Sequence, residues 1–193
     1  HEGARCRQTT LMIEAQARGH EIWHYLAEDL TLDRGTLTAP AQRVTQVQRV
    51  AGSHYQGGET RRLDLVADVD VIWMRQDPPF DLGYITATHL LERIADRTLV
   101  VNDPVSVRNA PEKLYVLDFA HYMPPTMITR DLNELRRFHA EHGEVVVKPL
   151  HGNGGKAIFK VGRDGANLSS LIEVFNTAYR EPHMIQAFLP GVA

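Results

Sequence analysis

Val145-Val-Val-Lys148-Pro-Leu-His-Gly152-Asn-Gly154-Gly155-Lys-Ala-Ile-Phe159 is the stretch on which the reading of this chain turns. Three β-branched residues run into a lysine, and a glycine-rich loop follows at once. It suggests two familiar patterns, of which one fits formally and the other does not, and the residues argue against both. Gly152-Asn-Gly154-Gly-Lys-Ala157 matches the dinucleotide pattern G-x-G-x-x-A, but that pattern must open a helix. Here the residues from Ala157 to Val161 favour a strand, which runs into Gly162. The phosphate-loop pattern G-x-x-x-x-G-K-[ST] fails because Leu150 stands where its first glycine belongs and Ala157 follows Lys156. What remains is strand–loop–strand, the arrangement of a flap that covers phosphates. Glycines let backbone N–H groups approach phosphate oxygens, and a lysine adds a point charge. The same residues also suit an ordinary hairpin whose turn needs positive φ, with Lys148 at the surface. The loop by itself leaves both readings open.

Working outward, the region after Pro124-Pro125 reads as α+β. Strands are expected at Thr126 to Thr129, Glu144 to Leu150, Ala157 to Val161 and His183 to Phe188. Asp131 caps a helix reaching about His142, with Glu134 at the capping-box position. A second helix spans Leu168 to Thr177. The region before it has another style. Val69 to Met74 is a compact apolar run that suits a buried parallel strand. A turn at Asp77-Pro-Pro-Phe-Asp81 leads to a helix from Leu82 to Ile94. Thr98 to Val101 is a further strand, and Asn102-Asp103 caps a helix opening at Pro104. Strand, helix, strand, helix implies a parallel sheet with crossover helices. Earlier still, Leu11 to Arg18 reads as a short helix stopped by Gly19, and His20 to Leu26 as a strand. Thr31 to Arg62 reads as an excursion of short strands and loops. A domain boundary is expected between Asp118 and Pro125, giving domains 1–120 and 121–193.

Composition narrows the classes of function. The 193 residues carry 43% hydrophobic side chains, enough for a real core. Lys plus Arg is 21 against 24 Asp plus Glu, a formal charge of −3, which offers no footprint for nucleic acid or an anionic membrane. No window approaches the roughly 18 apolar residues of a membrane span. With Cys6 as the single cysteine an internal disulfide is excluded, and a cytoplasmic location is expected. The 10 histidines include no H-E-x-x-H pair and no Cys/His cluster, so no histidine metal site is expected.

Three further segments could carry chemistry. Lys113, in Asn109-Ala-Pro-Glu-Lys113, is either a second phosphate contact or, as an isolated lysine far more often is, a solvated helix lysine; only pairing with Lys148 raises the first. Arg75 and Asp77 leave the C-terminal end of a strand, where ligands gather in open parallel sheets. Arg75 could clamp a carboxylate bidentately, or the segment could be a turn with a salt bridge. Met184-Ile-Gln186-Ala-Phe188-Leu-Pro190 is either a hinge strand meeting an adenine ring or an ordinary core strand.

Together these segments resemble prokaryotic glutathione synthetase. The resemblance runs from about Leu11 to the last residue. It rests on Ile13-Glu-Ala-Gln-Ala-Arg-Gly-His20, Met74-Arg-Gln-Asp-Pro-Pro-Phe-Asp81, Thr86-Ala-Thr-His-Leu-Leu-Glu92, Val101-Asn-Asp-Pro104, Arg108-Asn-Ala-Pro-Glu-Lys-Leu114, Val147-Lys-Pro-Leu-His-Gly-Asn-Gly-Gly155 and Gln186-Ala-Phe-Leu-Pro190. The segment from Met74 to Asp81 is the most specific of these. The resemblance implies an α/β chain, a Rossmann-like pre-ATP-grasp domain followed by the first α+β subdomain of an ATP-grasp domain. It implies a ligase that uses ATP and Mg2+ to join γ-glutamylcysteine to glycine through an acyl phosphate, in a homo-oligomer, a tetramer. By the same resemblance Lys113 and Lys148 contact ATP phosphates. Gly152, Asn153, Gly154 and Gly155 form the mobile flap, and Gln186, Ala187, Phe188 and Leu189 form the adenine hinge. Arg75 and Asp77 are substrate candidates.

Two departures from the family pattern qualify this. His1 to Thr10 does not resemble the family's opening strand and Asp/Pro-rich loop, so the first strand of the parallel sheet is expected to be missing. The family's magnesium ligands are expected beyond Ala193, with none in this chain. The expectation is therefore a fragment that does not complete the ligase reaction and exposes an apolar sheet face. Another ATP-grasp carboxylate–amine ligase, or a non-catalytic nucleotide-binding module, are the alternatives.

Overall fold

A computed structural model describes residues 2–47 and 55–191. The chain divides into two compact units, His1–Asn109 and Ala110–Ala193. The sequence-based boundary, between Asp118 and Pro125, falls later. The difference lies in a short helix that belongs with the second unit, because its Lys113 side chain hydrogen-bonds the carbonyls of Leu150 and Gly152.

The first unit opens with α1, Glu2–Ala17, and closes it at Gly19, which takes φ +82. The helix thus starts earlier than the expected Leu11. The expected strand from His20 to Leu26 reduces to β1, Trp23–His24, the two residues that pair with a longer strand further along the chain, and a 3-10 turn follows at Ala27–Asp29. Next come β2 (Thr31–Asp33), β3 (Thr36–Val47) and β4 (Tyr55–Asp64), and here the expectation of short strands is corrected. β3 is the spine of a four-stranded antiparallel sheet and pairs with all three others. It buries Leu37, Ala39, Ala41 and Val44 while Thr38, Pro40 and Gln42 are only half-buried, the period of a strand with one wet face. Pro40 has no N–H to give to a ladder. It lies between the residues that pair with β2 and those that pair with β1.

β5 (Val71–Trp73), α2 (Leu82–Glu92), β6 (Leu99–Val101) and α3 (Pro104–Asn109) complete the unit. β5 and β6 pair in parallel, Ile72 beside Val100, as the strand–helix–strand pattern requires. Asp81 caps α2 by accepting from Tyr84 N at 2.9 Å, and the Asp103 carboxylate accepts from Ser106 N at 2.7 Å. Hydrogen bonds from Ser106, from its hydroxyl first and its backbone N–H second, hold the Asp103 carboxyl below its ordinary range. The expected burial of this sheet holds on one face only. Ile72 and Val100 join Leu37, Leu63, Leu65, Leu91 and Ile94 in the core. On the other face Trp73 is 47% and Leu99 60% exposed, beside the exposed Val71 and Val101. The class is α/β, with its parallel sheet in this unit.

The second unit begins with α4, Glu112–Tyr115, and a 3-10 stretch at Val116–Tyr122. It continues through β7 (Thr126–Thr129), α5 (Leu132–His142), β8 (Val145–Pro149), β9 (Phe159–Val161), α6 (Leu168–Ala178) and β10 (His183–Ala187). The strands form one antiparallel sheet in the order β7-β10-β8-β9. Asp131 caps α5 as expected, accepting from Asn133 N and Glu134 N. The reciprocal half of a capping box does not form, because Glu134 is held by Arg137 at 2.6 Å and Asp131 N donates to Thr129 Oγ1. One sheet face packs Val145, Val147, Val161 and Ile185 against Leu135, Phe138, Leu168, Ile172 and Phe175 from the two helices.

His183, fully buried, sits at the edge of that core, its ring 4.9 Å from that of Phe175. Its Nε2 meets Asn176 Oδ1 at 2.9 Å, an oxygen that also accepts from Arg130 Nε. Its Nδ1 has no hydrogen-bond partner. Burial, then the Arg130 charge, lowers the imidazole pKa from 6.5, with Glu181 opposing. Unfolding frees His183 to protonate near 6.5 while the folded state resists, so this contribution to stability is complete above that value. It is lost as pH falls from 6.5 toward the folded value. The expected result is a melting midpoint, followed by circular dichroism, that drops from pH 7 to pH 5 more steeply in the wild type than in His183→Gln. Equal slopes would reject this role for His183.

Candidate functional site

The face of the second unit's sheet turned away from α5 and α6 forms the wall of a cavity of about 240 Å³. The alternation that buries Val145, Val147 and Ile185 turns Lys148, Met184 and Gln186 the other way. Glu112, Lys113, Val116 and Met123 supply another side, and the loop from Gly152 to Lys156, with Ile158, the rest.

Lys148 Nζ donates to Gln186 Oε1, its diagonal neighbour across the β8–β10 pair. Partial burial lowers the lysine pKa, the nearby charge of Lys113 lowers it further, and Glu112 acts against both. Lys113 Nζ donates to Leu150 O at 3.3 Å and to Gly152 O. One ammonium group is therefore carried by the sheet and the other grips the loop.

The loop geometry explains its glycines. Gly154 and Gly155 adopt φ +61 and +72, and a Cβ on either would meet nothing within 4 Å, so the space above them is open. A Cβ on Gly152 would lie 2.6 Å from Pro149 Cγ. Ala157 also takes a positive φ, +56, just before β9. A strand follows the loop, and β8 pairs with β9 across it, which removes the dinucleotide-fold reading. The hairpin and the phosphate-loop readings are compatible, since the hairpin's turn is itself the cavity rim.

Seven of the residues singled out in the sequence come together at this cavity: Lys113, Lys148, Gly152, Asn153, Gly154, Gly155 and Gln186. Ala187, Phe188 and Leu189 lie outside its lining. Ala187 N donates to Pro125 O and Phe188 N to Glu144 O, both at 2.9 Å. The Phe188 ring lies 3.7 Å from Lys160 Nζ, and Leu189 is exposed. Arg75 and Asp77 are exposed in the first unit just beyond β5, where the Arg75 carbonyl accepts from Gln8 Nε2 at 2.7 Å. Among the described residues no ion pair engages the Arg75 guanidinium. Sequence reasoning missed Glu112, Val116, Met123, Pro149, Lys156 and Ile158, and named Met184 only as part of the candidate hinge strand. The period of two along β10 was the available signal for Met184, two residues before Gln186.

The site fits a nucleotide's phosphates by its chemistry: two converging ammonium groups and glycines with open space beside their backbone. It does not fit a resident metal ion. Among the described residues no group of three or more His, Cys, Asp or Glu could hold one.

Two family models match the chain. Residues 8–108 match the N-terminal domain of prokaryotic glutathione synthetase, and residues 112–193 match the ATP-grasp domain of the same enzyme. The chain belongs to the prokaryotic glutathione synthetase family. The two matched ranges meet where the structure divides. Curated relatives include the glutathione synthetases of Rhodopseudomonas palustris, 53% identical over 182 residues, and of Agrobacterium fabrum, 48% identical over 182. That of Yersinia pestis is 40% identical over 183 residues. Each alignment covers 94% of this chain but only 58%, 56% and 57% of the relative, so the chain spans somewhat more than half the length of these family members. Among solved structures, D-cycloserine synthetase DcsG is 28% identical with a TM-score of 0.42, covering 53% of this chain and 38% of its own. Among the described residues no helix is long and apolar enough to cross a membrane.

Proposed function

We propose that this chain is the nucleotide-binding part of a glutathione synthase, an ATP-dependent carbon–nitrogen ligase that joins γ-glutamylcysteine to glycine. The observation that carries the reading is the convergence of Lys113, Lys148, Gln186 and the loop Gly152–Gly155 on one cavity, in a chain of this family. In the overall reaction a carboxylate oxygen of the dipeptide attacks the terminal phosphorus of ATP, and ADP leaves. The glycine nitrogen then attacks the acyl carbon, phosphate leaves with the C–O bond electrons, and the amine gives up its proton. Such transfers are accelerated chiefly by positioning and by neutralising phosphate charge. Lys148 supplies charge from the rigid sheet. Lys113 supplies it from beside the loop, and the loop N–H groups close over the phosphates.

Arg75 and Asp77 are the substrate candidates, Arg75 for a carboxylate of the dipeptide, and Gln186 to Leu189 are the candidates for the adenine edge. With the N–H groups of Ala187 and Phe188 and both ends of the Gln186 amide already engaged, the base is met by remaining backbone carbonyls. Magnesium would come with the nucleotide and would help neutralise its phosphate charge; among the described residues this chain offers it no carboxylate cluster of its own. The family resemblance supports a homo-oligomeric whole protein, a tetramer. The near-neutral charge balance and single cysteine support cytoplasmic work on small molecules, without nucleic-acid or membrane partners.

Calorimetric titration with magnesium-ATP tests the reading. Saturable binding of one nucleotide per chain, competed by ADP, is expected. Absence of saturable heat at millimolar nucleotide would overturn it.

A further inference from the structure

Lys148 and Gln186 do not act alone. Behind them a hydrogen-bonded chain runs to the first residue of β7. Gln186 Nε2 donates to Thr126 Oγ1 at 2.9 Å, and the Thr126 hydroxyl donates to Pro124 O at 2.7 Å. Thr126 stands directly opposite Gln186 in the β7–β10 register, so three adjacent strands carry the three members. Thr126 does not line the cavity.

We propose that Thr126 is a positioning residue of this site: it fixes the Gln186 amide so that its oxygen, and not its nitrogen, faces Lys148. The inference rests on the reading of Lys148 as a nucleotide contact.

The orientation follows from counting donors. A carbonyl only accepts, so the Pro124 oxygen takes the single hydroxyl hydrogen of Thr126. The Thr126 oxygen is then left with lone pairs toward Gln186, and only the amide NH2 can satisfy them. At the other end an ammonium group only donates, so Lys148 needs the amide oxygen. The two ends demand the same orientation. A flipped amide would set NH2 against NH3+ and carbonyl oxygen against hydroxyl lone pairs. Gln186 is 8% exposed, too little for water to compensate. The anchor is itself fixed, because Ala187 N binds the neighbouring Pro125 carbonyl. Thr126 thus holds an acceptor in front of Lys148 in a cavity whose other charged groups are Glu112, Lys113 and Lys156.

The test compares Thr126→Val, which keeps the shape and loses the hydroxyl, with Thr126→Ser, which restores it. Two readouts are taken on the full chain: the pH profile of Lys148 reductive methylation and magnesium-ATP affinity by calorimetry. In the valine variant the lysine should lose its proton at lower pH than in the wild type, because a Gln186 amide no longer anchored at its nitrogen holds its oxygen less firmly against Lys148, and that bond favours the charged form. ATP binding should weaken about three- to tenfold, the range of one net hydrogen bond. The serine variant should match the wild type in both. A valine variant with an unchanged lysine profile, or a serine variant that fails to restore it, overturns the proposal. Thr126→Ala replaces valine if that variant does not fold. Should the wild type bind no ATP, the nucleotide reading fails, while the lysine profile still decides the role of Thr126.

Discussion

Replacing Lys148 with alanine is expected to weaken magnesium-ATP binding about 100-fold, within a range of roughly 10- to 150-fold. The magnitude comes from a charge-assisted hydrogen bond, about 1.5–3 kcal/mol, at roughly 1.4 kcal/mol per factor of ten. Two features argue for the upper part of that range. The lysine is half-buried, so its charge is less screened than on a free surface. It is also pre-positioned by Gln186, so little side-chain freedom remains to be lost on binding. Binding should weaken rather than vanish, because Lys113 and the loop remain. The fold should be spared. Lys148 lies on the cavity face of β8, and Gln186 keeps Thr126 as a partner. Calorimetry gives the affinity and a thermal melt the control. Wild-type affinity in a folded variant would remove Lys148 from the site.

Phe175→Ala should be the most damaging substitution for stability in the second unit, costing about 3–5 kcal/mol. Phe175 is buried on α6 and sits between three rings: Phe159 at 5.8 Å, Tyr179 at 5.5 Å and His183 at 4.9 Å. Those neighbours belong to β9, the end of α6 and β10, which cannot all move into the space left behind. A loss of this size is a large part of the 5–15 kcal/mol that holds an ordinary domain together. Urea unfolding followed by circular dichroism should show the midpoint of the second unit falling well below that of the wild type. A cost under about 1 kcal/mol would mean that the cluster repacks and that Phe175 is not its keystone.

The second unit was legible in the sequence almost element by element. Strand ends at Thr126, Thr129 and His183, the helix cap at Asp131 and the strand–loop–strand around Gly152 all stand where propensity and pattern put them. Each is decided by short-range chemistry: a cap, a run of β-branched residues, a glycine that must take positive φ. The paired strands β3 and β4 were not legible at their true length. Ala39 and Ala41 are fully buried there, yet alanine carries little strand signal, and Pro40 and the glycines of β4 read as breaks. Only pairing across the sheet reveals them. The site divides in the same way. Lys148 and the glycines were visible as a motif, and Lys113 became meaningful only through its partner. Glu112, Met123 and Thr126 gain their importance from long-range register, which a single sequence does not display.

β10 serves two masters at alternate positions: His183 and Ile185 belong to the core, Met184 and Gln186 to the cavity. Single substitutions on its cavity side can accumulate without disturbing the packing behind it, so ligand preference and folding can drift separately in descent. Insertion or deletion of one residue is a different event, because it turns every side chain of the strand over at once. Apolar groups would then face the phosphates and an amide would enter the core. Length changes in this part of a lineage are therefore confined to the connections, and the strand itself can change only letter by letter.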